Sequence, residues 1–149
     1  MDLQLRTRPH HLYLLFILVF IAGAATSGEH TVDIHLHDTY YVIAYPHFFG
    51  ACAILLAVLW LLSAACRRIL LSPALSWLHV VLILLFVAFV LGHFWTYRSF
   101  RKQYFDVGSW RRMEGLQRLA IYSLLSGMGV LMVNILGGGV RRLMRRRGH

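Results

Sequence analysis

Three apolar runs of membrane-spanning length, Pro46 to Cys66, Leu75 to Trp95 and Leu119 to Leu136, constrain this chain more than any other feature. A spanning helix needs roughly 20 predominantly apolar residues, because the hydrocarbon core is about 30 Å thick and each helical residue rises about 1.5 Å. A fourth run, Leu12 to Thr26, is shorter. Composition agrees, since 58% of the 149 residues are hydrophobic, above the roughly half of an average soluble domain. The sequence therefore predicts an all-α integral membrane bundle of four transmembrane helices in one membrane domain, 1–149, with spans at about 12–26, 46–66, 75–95 and 119–136.

The first run has a second reading. Arg6 and Arg8 precede the strongly apolar stretch Leu12 to Ile21, and Ala22-Gly23-Ala24 has the small-x-small form of a signal-peptidase site. The small residues Ala22 to Gly28 equally suit the end of a tightly packed helix, and a retained helix is the reading preferred here.

Charge orients the spans. Nine of the fifteen basic residues lie in three segments: Arg6 and Arg8, then Arg67 and Arg68, then Arg141, Arg142, Arg145, Arg146 and Arg147. Those segments, and with them both termini, belong on the cytoplasmic side. The outer stretch 27–45 has no Lys or Arg and carries His30, His35 and His37. A second outer segment, Tyr97 to Arg118, breaks the charge rule with six basic residues, which asks for an anionic ligand, lipid headgroups or a different helix count. The basic tail 140–149 reads as an anchor to anionic lipid, worth about 1 kcal/mol per basic residue. Nucleic-acid binding is excluded, because the basic clusters hug helix ends and no groove-reading motif is present.

Within the helices, Pro73 suits the first turn of the third. His79 and His93, fourteen residues apart, fall roughly on one stripe, where water or a backbone carbonyl would ordinarily satisfy them. In the fourth, Ser123 and Gly127 form a small-xxx-small pair, Asn134 offers an amide inside the membrane, and Gly137 to Gly139 are expected to end the helix. Cys52 and Cys66 stand about 21 Å apart along one helix and cannot bridge within it.

The chemistry concentrates between the short run ending at Thr26 and the start of the next, in DIHLHDTYYVIAYPHFFG, Asp33 to Gly50. His35 and His37 on an extended backbone would point to one side, with Asp38 adjacent, a partial set for a divalent first-row metal. His47 follows Pro46 into the second helix, and a neutral imidazole among aromatic residues can ligate haem iron.

His37-Asp38-Thr39-Tyr40-Tyr41-Val42-Ile43-Ala44, with Asp33 upstream, resembles the signature loop of subunit I of the haem-copper oxidases. LHVVLILLFVAFVLGHFW is similar to that subunit's penultimate span, FRKQYFD to its Arg-Arg-Tyr loop, and Leu119 onward to its last helix, so the chain resembles only the final third of subunit I. The resemblance implies that His47 is a haem axial ligand, that Arg101 and Lys102 face haem propionates, and that His37 and Asp38 hold magnesium or manganese with a subunit II-like chain. It implies residence in a bacterial plasma membrane beside other respiratory-complex subunits.

The departures limit this. Tyr45 stands where the family has the histidine of its oxygen-reducing haem, Pro46 replaces the intervening aromatic, and the opposite axial ligand and copper-binding histidines belong to helices this chain lacks. No copper site is complete, no catalytic residue is assigned, and oxygen reduction by this polypeptide alone is excluded on ligand count. The expectation is a shortened relative tied to aerobic respiratory electron transport. A cofactor-free assembly subunit is the first alternative. A small metal-handling membrane protein using His30, His35, His37 and Asp38 is the second.

Overall fold

The computed structural model describes residues 9–28, 31–36, 39–100 and 107–147. After one 3-10 turn at Pro9–His11, the elements run α1 (Leu12–Thr26), β1 (Thr31–Leu36), β2 (Thr39–Ala44), α2 (Tyr45–Cys66), α3 (Pro73–Phe100) and α4 (Val107–Arg147). Four helical stretches, Pro9–Thr26, Tyr45–Cys66, Pro73–Thr96 and Arg111–Arg145, are long and apolar enough to cross a membrane. The chain is an all-α integral membrane protein whose apolar helix faces belong in lipid. It packs as two compact units, 1–65 and 66–149.

In the first unit, α1 closes on its own hydroxyls: Thr26 Oγ1 donates to the Ala22 carbonyl at 2.8 Å and Ser27 Oγ to the Ala24 carbonyl at 3.2 Å. Gly28 then takes φ +63°, a left-handed conformation that glycine adopts without a Cβ penalty, and turns the chain out of the helix. The stretch expected to be a loop, 27–45, instead contains an antiparallel hairpin running from Thr31↔Ala44 to Leu36↔Thr39. TVDIHL and TYYVIA are rich in β-branched and aromatic residues, which favour a pleated backbone, and only two residues separate the strands.

One cluster anchors this unit. Tyr45 and Phe49, both about 1% exposed, are stacked with ring centroids 5.7 Å apart, and Phe49 lies 5.9 Å from the buried Phe20 ring of α1. A Cβ on Gly23 would sit 3.2 Å from Phe49 Cδ2. The small residues ending α1 therefore seat an aromatic ring, close packing being what holds helices together in lipid.

The second unit is an antiparallel helical hairpin, α3 against α4. Its facing pairs step by seven residues along each helix. Ser72 meets Asn134, His79 meets Gly127, and His93 meets Met113, while the buried Phe86 and Ala120 occupy the intermediate step. On α3 the buried residues His79, Ile83, Phe86, Val90 and His93 alternate spacings of four and three. A seven-residue repeat keeps one stripe facing its partner and is the signature of left-handed supercoiled packing.

Two expectations are corrected here. Gly137 to Gly139 do not end the last helix: α4 runs unbroken for 41 residues, about 60 Å, and includes the tail through Arg147. Glycine's helix penalty, about 1 kcal/mol each, is offset by contact, because a Cβ on Gly138 would run into the Ile69 carbonyl and one on Gly137 would lie 2.8 Å from Leu71 Cδ2. The expected basic loop, Tyr97 to Arg118, also narrows. Arg98 belongs to α3, and Arg111, Arg112 and Arg118 to α4, where Arg118 pairs with Glu114 one turn away.

The turn 67–72 is tied down by polar groups. Leu71 N–H donates to the Asn134 carbonyl at 3.0 Å, and Ser72 N–H donates to Asn134 Oδ1 at 2.9 Å. Asn134 Nδ2 donates to the Ser72 carbonyl at 3.2 Å and to Ser76 Oγ at 3.0 Å. Ser72 caps α3 in turn, its Oγ accepting from Ala74 N–H at 3.2 Å. Each of these groups would be costly if left unpaired in hydrocarbon.

Candidate functional site

His47 is the third residue of α2 and is exposed. The reason is helical periodicity. Tyr45, Phe49, Cys52, Leu56, Leu59 and Ser63 form the buried stripe of α2, at alternating spacings of four and three. A residue two positions from Tyr45 falls on the opposite face. His47 therefore heads an outward stripe that continues through Ala51, Ile54 and Val58 to Leu61, all exposed.

That placement decides what His47 can do. A buried ring would leave a porphyrin no approach, whereas this imidazole opens onto an apolar surface. Its aromatic neighbours do not form a pocket around it, since Tyr45 and Phe49 turn inward and stack on each other. A haem fits at His47 only with a second surface over its other face.

The remaining candidates are placed as follows. His37 and Asp38, the proposed magnesium or manganese ligands, lie outside the described residues, as do His30 and the propionate candidates Arg101 and Lys102. His35 is in β1, its backbone in register with Tyr40. Among the described residues, no group of three or more His, Cys, Asp or Glu is arranged to hold a metal ion. Cys52 and Cys66 are free thiols.

Tyr45, which the resemblance aligns with a haem-binding histidine, is buried against Phe49. Phe49 in turn lies against Phe20 of α1. His79 and His93 also face inward: His79 Nδ1 lies 2.8 Å from the Gly127 carbonyl, and His93 is buried beside the backbone of Met113. Nδ1 of His79 therefore carries the proton, since a carbonyl can only accept.

Sequence reasoning missed the pairing of Asn134 with Ser72 and Ser76, residues 62 and 58 positions away. Ser72-Pro73 does signal a helix start, but nothing local names the amide that completes it. Comparison of the chain with protein-family models, with curated proteins and with solved structures returned no match.

Proposed function

We propose that this chain is an accessory membrane subunit of an aerobic respiratory complex, related to the last part of subunit I of the haem-copper oxidases and without oxygen-reducing capacity of its own. One observation carries the reading: the string His37-Asp38-Thr39-Tyr40-Tyr41 leads into a helix whose first turn presents His47 on an exposed apolar stripe. An imidazole placed so is available to a haem held between this chain and a neighbour, and is of no use to a haem enclosed by the first unit alone. His37 and Asp38, with a subunit II-like chain, would supply the magnesium or manganese site. The arginine distribution supports cytoplasmic termini and an outer HDTYY segment, and the resemblance supports a bacterial plasma membrane.

Purification from native membranes in mild detergent tests this. Respiratory subunits are expected to co-purify, with a haem Soret band that His47→Ala removes. Isolation as a lone, colourless polypeptide overturns the proposal.

A second reading is favoured by Tyr45. Tyr45 is buried on Phe49, which supports a cofactor-free assembly subunit in which the position that the resemblance gives to a haem ligand serves packing. Co-purification with respiratory subunits and no Soret band selects this reading over the first.

A further inference from the structure

The close contact of Ile69 with Gly138 brings together two arginine clusters that the sequence keeps 73 residues apart. The turn carrying Arg67 and Arg68 runs on through Ile69, whose carbonyl occupies the space a Cβ on Gly138 would need. That backbone contact fixes the turn against one face of α4. Arg141 and Arg142 follow Gly138 by three and four residues and Arg145 by seven, spacings that put all three on the same face as Gly138. They lie about 5 to 10 Å further along the axis, within reach of two long side chains.

This face is the one that meets α3 lower down, through Gly127, Leu131 and Asn134. α3 begins only at Pro73, so beyond Asn134 the stripe has the turn opposite it and then runs on past the start of α3. All five guanidinium-bearing residues, Arg67, Arg68, Arg141, Arg142 and Arg145, are exposed. Within the second unit no acidic residue neighbours them in sequence, since no Asp or Glu occurs between Asp38 and Asp106 or after Glu114. At the opposite end Arg118 does have a carboxylate, that of Glu114. The N-terminus of α3 adds partial positive charge at the arginine end.

Guanidinium groups bind phosphate through paired N–H donors, and two arginine pairs on two backbones offer two such positions. We infer that Arg67, Arg68, Arg141 and Arg142, held together by the Gly138 contact, form one site for an anionic phospholipid headgroup bearing two phosphodiesters. The headgroup of such a lipid lies at the level of helix ends that leave the hydrocarbon, where these arginines stand, and its acyl chains would lie along the apolar faces below. The site does not depend on the respiratory reading, and its test reads lipid rather than haem or partner chains.

The test is native mass spectrometry of the full chain in detergent, titrated with diphosphatidylglycerol or, at equal phosphate, phosphatidylglycerol. One diphosphatidylglycerol per chain is expected, bound more tightly than the single-phosphate lipid. The doubles Arg67→Gln/Arg68→Gln and Arg141→Gln/Arg142→Gln should each weaken it about thirty-fold, while Arg111→Gln/Arg112→Gln at the other end leaves it unchanged. Gly138→Ala keeps every charge but displaces the turn, and should also weaken binding. Should that variant fail to fold, the glutamine doubles decide alone. Equal retention of the two lipids, or equal loss in all three glutamine doubles, overturns the inference.

Discussion

His79 Nδ1 lies 2.8 Å from the carbonyl oxygen of Gly127, joining α3 to α4 at a buried step of their seven-residue seam. The glycine favours this close approach, because a Cβ on residue 127 would lie 3.0 Å from Ile83 Cδ1, close enough that the methyl would have to shift. Small residues at a membrane helix contact let backbones approach, and here that approach brings a carbonyl within reach of an imidazole.

Replacing His79 with Leu should destabilise the hairpin by about 0.6 kcal/mol and by at most about 1.7 kcal/mol, the mean and the maximum for hydrogen bonds between membrane helices. Equilibrium unfolding in mixed micelles measures it. An unchanged midpoint would mean the bond contributes nothing.

Gly127→Ala should cost about 1 to 3 kcal/mol through overpacking. The offending atom is the Ile83 Cδ1 methyl, which Ile83→Val deletes. In a double-mutant cycle the alanine should therefore cost less in the valine background. Strict additivity would place the strain elsewhere.

Asn134→Leu removes the acceptor for Ser72 N–H and the donor to Ser76 Oγ and the Ser72 carbonyl at once. A loss of about 2 kcal/mol is expected, larger than for His79→Leu, because groups at the start of α3 are left unpaired. Hydrogen exchange at the Ser72 amide should quicken while amides in the middle of α3 stay protected.

Phe49→Ala should lower the stability of the first unit by about 2 kcal/mol, mainly through the cavity it leaves, since transfer to lipid gives little back. His47→Ala, on the exposed face of the same helix, should stay within about 0.5 kcal/mol of the parent protein. Loss of a Soret band in the His47 variant then reports ligation rather than unfolding.

The two cysteines should differ toward a maleimide. Cys66, half-buried at the end of α2, is expected to react in detergent, and the buried Cys52 only after denaturation. Mass measurement before and after denaturant reads the difference.

Run length and local chemistry were enough to place four helices, to mark Pro73 as a helix start and to pair Ser123 with Gly127 as packing residues. Each depends on free energies that neighbours along the chain set among themselves: lipid solvation of about 20 residues, the fixed φ of proline, the size of a side chain. The resemblance that suggests His37, Asp38 and His47 is likewise a string, legible without coordinates. Tertiary contact decided the rest. Gly137 to Gly139 read locally as a stop, yet the helix continues because the turn at Ile69 packs on Gly138. Asn134 found its partners across 62 residues, and His47 came to the outside because Tyr45 and Phe49 took the inside. A residue's own sequence neighbourhood carries no term for the backbone that approaches it from elsewhere in the chain, and in lipid, where burial is nearly neutral, that approach determines which faces meet.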